Sequence, residues 1–248
     1  MAAHAKNEFL QAMVEEYNDH AKRGHWELVP NDKVPDGTKI LDSIWSMKRK
    51  RDIKTRRITK WKARLNVHGG QQEHRVNFFE TYSPVVNWFS VRLLYIIALL
   101  NNWHTRQIDF VLAYPQADIE CEMFMKLPLG LKVSGANRNT HALKLKKNIY
   151  GQRQAGRVCN KHLCKGLTNI GFKPSMVDDC VYYRDNVIFC FFVDDGIWLS
   201  PDSRAVDKTI ADLFNEEKAG TKFEIENRGD ISDYLGINFD RRLTARFI

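Results

Sequence analysis

The chain has 248 residues, 44% of them hydrophobic and 27% charged, which is ordinary for a globular protein of one large or two small domains. With 38 Lys and Arg against 30 Asp and Glu, the net charge is +8 and the pI near 9.2, a balance that favours a polyanionic partner. Five cysteines without paired spacing (Cys121, Cys159, Cys164, Cys180 and Cys190) exclude a disulfide scaffold and read as reduced and intracellular, while the longest apolar stretch, 91–100, carries Arg92 and is too short to make the membrane a partner; no secretory signal is visible.

In chain order, residues 5–23 place Phe9, Met13, Tyr17 and Ala21 on one face and predict a helix that Gly24 ends. Trp26-Glu27-Leu28-Val29-Pro30 predicts a short strand, and 31–38, with its Asn, Asp, Pro and Gly, a loop. Residues 44–50 and 58–67 predict a hairpin turning over 52–57. Within 48–64 there are ten Lys and Arg and one acid, Asp52. Such a hairpin suits a lid over phosphates, and it equally suits an edge blunted by charge. Gly69-Gly70 breaks the chain, and a polar loop runs to Ser83-Pro84. Residues 87–101 predict a helix with Asn87 as its cap and Val91, Leu94, Tyr95, Ala98 and Leu99 as its buried stripe.

A strand over 105–110 carries Asp109, and Ala113-Tyr114-Pro115 starts a turn or short helix. Residues 121–127 and 140–145 predict strands, with Pro128-Leu129-Gly130 closing the first, and 154–170 a helix opened by Gly151. Residues 123–177 hold eleven Lys and Arg and no acid at all, which suits contact with a nucleic-acid backbone better than a merely solvated face. Cys159, His162 and Cys164 lie close together, but zinc would need a further ligand group and none is evident. Strands over 181–184 and 187–193 lead to a polar corner, Asp194-Asp195-Gly196, and on into Ile197-Trp198-Leu199, which together read as a hairpin. A helix over 202–218 with Asp and Ser capping residues, then strands over 223–226 and 234–240, complete an α+β pattern.

The corner is where chemistry can reside. Two adjacent carboxylates at a hairpin tip are compatible with an ordinary exposed turn. With Asp109 on a separate strand they also form the layout of nucleotidyl transfer. There, carboxylates from different strands hold two divalent ions, and cations surround a triphosphate.

The motifs around these acids resemble the reverse transcriptase of copia-type LTR retrotransposons. In family order they are Trp26-Glu27-Leu28-Val29-Pro30; Trp45, Lys48 and Lys50 with Lys62-Ala63-Arg64-Leu65, Gly69 and Gln72; Glu80-Thr81-Tyr82-Ser83-Pro84-Val85-Val86, close to the family's ETYSPVV block; and Val91-Arg92-Leu93-Leu94. Gln107-Ile108-Asp109-Phe110 with Ala113-Tyr114 follows, then Met123-Phe124-Met125 and Leu127-Pro128-Leu129-Gly130. Ile149-Tyr150-Gly151-Gln152-Arg153-Gln154-Ala155 stands for LYGLKQA, Phe192-Val193-Asp194-Asp195 for YVDD, and Tyr234-Leu235-Gly236-Ile237 for the late YLGI strand. The resemblance covers residues 26–240, and the joint pattern is specific.

The resemblance implies a right-hand polymerase of fingers and palm, with an antiparallel palm sheet backed by helices and the thumb largely or wholly absent. It divides the chain into an N-terminal helical segment (1–25), fingers (26–104 and 118–150) and palm (105–117 and 151–248). It implies an RNA-directed DNA polymerase that adds dNTPs to a primer 3′ end on an RNA or DNA template, with Asp109, Asp194 and Asp195 as the catalytic and metal-binding triad for two Mg²⁺ or Mn²⁺ ions. Lys62 and Arg64 would lie over the incoming triphosphate. Tyr114 would stack under the sugar and exclude a 2′-hydroxyl, the plain alternative being a core tyrosine. Gln154 would touch the incoming nucleotide. Lys48, Lys50, Lys144, Lys146, Lys147, Arg153 and Arg157 would track template and primer backbones. A cytoplasmic virus-like particle, or the nucleus, is the implied location.

Several positions depart from the family pattern. Phe192 replaces Tyr. Gly196 stands where an apolar residue is usual and is expected to loosen the hairpin. Gln152-Arg153 replaces Leu-Lys, Gly156 replaces Pro, and Cys159 stands where Trp is common and is expected to underfill its helix packing. The sequence stops at Ile248, before the thumb, connection and RNase H regions that the family pattern places downstream, and without protease or integrase; weak primer–template binding and poor processivity are expected. Two other readings stay open: a truncated, catalytically decayed fragment that only binds nucleic acid, and an unrelated metal-dependent phosphotransferase that shares only a carboxylate cluster.

Overall fold

The computed structural model describes residues 2–52 and 55–239. Helix α1 (Ala2–Lys22) comes first and ends before Gly24, which takes a φ of +67°. Strands β1 (Trp26–Pro30) and β2 (Ile40–Leu41) follow, then β3 (Ser43–Arg51) and β4 (Ile58–Val67). Helix α2 (Trp88–Leu100) begins where the Asn87 side-chain oxygen accepts the Phe89 N–H at 2.8 Å. Strand β5 (His104–Phe110) leads to the single-turn α3 (Ala113–Gln116), β6 (Phe124–Lys126) and β7 (His141–Leu145). Helix α4 (Ala155–Asn169) precedes β8 (Lys173–Pro174), β9 (Val181–Arg184), β10 (Val187–Phe192) and β11 (Asp195–Ser200). Helices α5 (Ser203–Phe214) and α6 (Glu216–Ala219) and strands β12 (Ile225–Gly229), β13 (Asp233–Tyr234) and β14 (Ile237–Asn238) complete the order. Several sheets and six helices among the described residues make the fold α+β, as the alternation of patterns predicts.

The differences from expectation have local causes. The helix expected over 202–218 is two helices, because Asn215 leaves the helical region and its side-chain oxygen accepts the Lys218 N–H at 3.2 Å, capping α6. The strand expected over 234–240 is instead a tight hairpin, β13–β14, because Leu235 and Gly236 take φ of +51° and +82°. Asp240 lies outside the described residues, as do Ile53 and Lys54 of the predicted 52–57 turn. The strand expected over 121–127 is only Phe124–Lys126, and that over 223–226 lies further on, at Ile225–Gly229.

The chain forms two compact units, Met1–Thr81 with Ala117–Val158, and Tyr82–Gln116 with Cys159–Ile248. In the first, β1, β7, β6 and β2 make a four-stranded sheet, antiparallel except for the parallel β2–β6 pair. Trp26, Leu41, Met125, Leu143 and Leu145 bury the sheet together with Leu65 and Val67 from β4. Helix α1 packs on the β3–β4 hairpin. Phe9 meets the Trp61 ring edge-on at 4.7 Å, Met13 and Ala12 cover Ala63, and the Glu16 carboxylate accepts the Leu65 N–H at 3.2 Å.

Two glycines let the backbone segments around β4 and before α4 come together. A Cβ on Gly69 would lie 2.1 Å from the Gly151 carbonyl oxygen, and one on Gly151 (φ +88°) 2.2 Å from that of Val67. Between them, the Val67 N–H donates to the Tyr150 oxygen at 2.9 Å. Gly151→Ala is therefore expected to destabilise the chain by about 2 kcal/mol, from left-handed strain plus backbone overlap. Thermal unfolding followed by circular dichroism checks this, and an unchanged midpoint would contradict it.

The second unit is built on a six-stranded sheet in the order β12-β5-β11-β10-β9-β8, antiparallel at every step. Its core joins Ile108, Phe189, Phe191 and Trp198 of the sheet to Val91 and Ala98 of α2, Leu163 and Leu167 of α4, and Val206 and Leu213 of α5. The sheet order sets β5, which carries Asp109, beside β11, which carries Asp195. Among the described residues no helix is long and apolar enough to cross a membrane.

Candidate functional site

The β5–β11 register places Asp195 directly opposite Asp109. Phe192 and Asp195 close the β10–β11 hairpin, so its two-residue turn is Val193-Asp194, one position earlier than the corner expected from sequence. Val193 has a φ of +55°, a region that β-branched residues rarely occupy, and paired strands on either side hold it there. The Phe110 N–H donates to the Asp194 backbone oxygen at 2.7 Å, and the Tyr234 hydroxyl to the Asp195 backbone oxygen at 3.3 Å. The tip is thus tied to β5 and to the late hairpin.

Gly196 lies inside β11 rather than in the turn. A Cβ there would fall 2.6 Å from the Phe189 ring, which stacks on Trp198 at 4.1 Å. Gly196 therefore makes room for a buried aromatic pair; the loosening expected from the missing side chain is not found. Cys159 does leave space: with Phe110, Val193 and Phe223 it lines a small cavity against the turn. Its thiol donates to the Ala113 oxygen at 3.4 Å, and burial pushes it up to about 12, so it remains protonated.

The acids influence one another. Burial, then the charges of Asp194 and Asp109, push Asp195 up to about 6. Asp109 is raised too, by burial above all, against the lowering effect of Arg228. Arg228, on β12, bridges the pair: one guanidinium nitrogen is 3.0 Å from Asp109 Oδ2 and the other 3.9 Å from Asp195 Oδ1. Asp195 Oδ1 is shut off from solvent and has no hydrogen-bond partner among the described residues. Hard carboxylate oxygens with an unused buried lone pair suit a divalent cation such as Mg²⁺ or Mn²⁺. As placed, however, no three His, Cys, Asp or Glu side chains among the described residues are gathered closely enough to hold one.

The other residues singled out by sequence fall in different settings. Tyr114 is half-buried and packs against the core of the second unit. In the first unit, the β3–β4 register sets Lys48 opposite Lys62 and Lys50 opposite Lys60. Like charges directly opposite cost stability unless an anion lies between them. Lys48 and Lys50 are exposed; Lys62 is half-buried, and burial, then Arg64 and Lys50, lower its pKa. The Arg64 guanidinium stacks 3.8 Å over the Tyr150 ring. Gln154 is buried, with its side-chain oxygen accepting from Gln72 at 3.0 Å.

The acid-free stretch takes its counter-ions from other segments. Lys144 pairs with Glu122, Lys146 with Glu27, Lys147 with Asp118, and Arg157 with Glu80 and Glu120. Arg153 donates to the Gly69 oxygen at 2.8 Å. Such pairs, where exposed, are weak and can give way to phosphates. Arg228 went unnoticed in sequence because it sits among late acids. The signal that could have found it is Asn227-Arg228-Gly229, a glycine inside a strand pattern that marks a bulge.

The family model described as reverse transcriptase (RNA-dependent DNA polymerase) matches residues 24–246. The chain is 29% identical over 246 residues to the retrovirus-related Pol polyprotein from transposon TNT 1-94 of Nicotiana tabacum, covering 97% of this chain and 18% of that protein. It is 28% identical over 235 residues to the Pol polyprotein from transposon RE2 of Arabidopsis thaliana, 93% of this chain and 15% of the relative. It is 29% identical over 219 residues to the transposon Ty1-ER2 Gag-Pol polyprotein of Saccharomyces cerevisiae, 84% of this chain and 11% of the relative. The chain thus spans less than a fifth of the length of each of these three.

Proposed function

The chain belongs to the reverse transcriptase (RNA-dependent DNA polymerase) family, and from that premise we propose that it adds dNTPs to a primer 3′ end on an RNA or DNA template, at Asp109, Asp194 and Asp195, with two divalent ions. The observation that carries this reading is the register of β5 and β11, which opposes Asp109 and Asp195 beside the tip that bears Asp194. Divalent ions bound there would supply Lewis-acid stabilisation of the attacking and leaving oxygens of an in-line displacement. The three carboxylates would bind those ions. Lys62 and Arg64 would hold the triphosphate, Tyr114 would seat the sugar and bar a 2′-hydroxyl, and Gln154 would meet the nucleotide. Lys48, Lys50, Lys144, Lys146, Lys147, Arg153 and Arg157 would bind nucleic-acid backbone. In this reading 26–104 and 118–150 serve as fingers and 105–117 and 151–248 as palm, within a Pol polyprotein whose RNase H and integrase act alongside it in an intracellular particle.

Primer extension on a poly(rA)/oligo(dT) duplex with dTTP and Mn²⁺ tests the proposal, with Asp194→Asn as control. Extension that disappears in the control supports it. No extension from a folded sample that binds the duplex would sink it and leave a chain that only binds nucleic acid.

Backbone binding has its own test. Replacing Lys48 and Lys50 together by Ala is expected to weaken duplex binding equally for all sequences and to reduce the salt slope by about 2, one unit per lost phosphate contact. The same change relieves two like-charge cross-strand pairs, so the variant should be no less stable than the parent chain. Fluorescence anisotropy across a salt series reads the first effect and denaturant unfolding the second.

A further inference from the structure

Strand β12 pairs with β5 in step through Ile225↔Phe110, Glu226↔Asp109 and Asn227↔Ile108, then jumps to Gly229↔Gln107. Arg228 is the extra residue of a β-bulge. Gly229 takes the left-handed φ of +81° that such a bulge uses, and the Asn227 side-chain oxygen accepts the Gly229 N–H at 2.9 Å, closing the loop around Arg228. Glu226 lies opposite Asp109, and the guanidinium of Arg228, two residues on, is 3.0 Å from Asp109 Oδ2 and 3.9 Å from Asp195 Oδ1.

We propose that Arg228 is a built-in counter-cation of the Asp109–Asp195 pair, and that a divalent ion binds these carboxylates by displacing it. The inference rests on the reading that the three aspartates are the ion site. Two carboxylates directly opposite on neighbouring strands repel each other, and both are partly withdrawn from water. The guanidinium offsets that repulsion while no ion is bound. Its side chain is 45% exposed, so it has water to move into, and a partly exposed pair of this kind is weak enough for a doubly charged ion to replace. Arg228 thus stabilises the ion-free chain and lowers its affinity for the ion. One bulged residue sets how much divalent cation the site needs.

The test uses the whole chain with Mn²⁺ alone as probe, binding being read from the loss of the free-ion EPR signal. R228Q keeps a polar side chain but removes the charge. It is expected to bind Mn²⁺ roughly tenfold more tightly than the parent chain, and to show the larger rise in melting temperature on Mn²⁺ addition. R228K, which keeps the charge, is expected to stay within about twofold of the parent. A measurement on the unaltered chain guards against a variant that does not fold: Mn²⁺ should speed phenylglyoxal modification of Arg228, read by mass spectrometry of the modified peptide. Parent-like affinity in R228Q, or an unchanged modification rate, overturns the proposal where Asp195→Asn abolishes Mn²⁺ binding. If Asp195→Asn leaves Mn²⁺ binding intact, the aspartate reading fails, and the role of Arg228 fails with it.

Discussion

Asp195→Asn is expected to abolish nucleotide incorporation and, in the same molecule, to make the fold more stable at neutral pH. In the proposed reading Asp195 is an ion ligand, and losing it removes several kcal/mol of stabilisation from the displacement, so incorporation should fall by about 10³-fold or more. The stability gain follows from the surroundings of the carboxylate. Burial, Asp194 and Asp109 push Asp195 up to about 6, from an ordinary value of 3.8. The folded chain therefore holds this proton more tightly than the unfolded chain does. The group's contribution is fully present below the unfolded value, declines as pH rises from about 4 to about 6, and is gone above the folded value. Asn carries no charge to bury, so the variant should be more stable than the parent at pH 7.5 by on the order of 1–3 kcal/mol, and about equal to it at low pH. Denaturant unfolding at both pH values, beside a primer-extension assay, reads both effects. A variant less stable than the parent at pH 7.5 would show that the acid is held by favourable contacts rather than against burial.

Gly196→Val is expected to destabilise the second unit by about 3 kcal/mol, the upper end of the overpacking range. A Cβ alone would sit 2.6 and 2.7 Å from two Phe189 ring carbons and 3.1 Å from Ile108. Phe189, Ile108 and Trp198 are all fully buried, so no side chain there has room to give way. The clash is specific, which makes it testable by a double-mutant cycle. Phe189→Ala alone should cost about 3–5 kcal/mol by leaving a cavity. With Gly196→Val added, the total should fall well short of the two single effects combined, because the valine fills part of what the ring leaves. Additive losses would mean that the ring and the glycine do not share this space.

Some of this molecule can be read from local sequence. Asn87 caps α2, and Asp202 caps α5 by accepting the Arg204 N–H at 2.9 Å, both as expected, because a cap is settled within a few residues. The β10–β11 hairpin that carries Asp195 is likewise visible as short apolar runs around turn residues. Asn215 shows where local reading fails: its side chain competes for a backbone N–H, and the apolar spacing of Ala205, Ile210, Leu213 and Phe214 before it cannot reveal that. The turn at Val193-Asp194 differs from the expected corner by one residue because the pairing of Phe192 with Asp195 sets it, not the preference of Gly196 for turns.

Sequence by itself determined the α+β alternation, the helix caps, the ordered motifs that identify the family, and which carboxylates are candidates. These depend on residue identity and on contacts a few positions apart. The tertiary structure alone decided that Asp195 faces Asp109, that the lysines of the acid-free stretch find acids on distant segments, that the Phe189 ring occupies the space at Gly196, and that the Arg228 guanidinium meets the aspartates. Each of these is a matter of register, charge pairing or packing between strands and segments. Register is set by how all the strands pack together, and no single segment contains it.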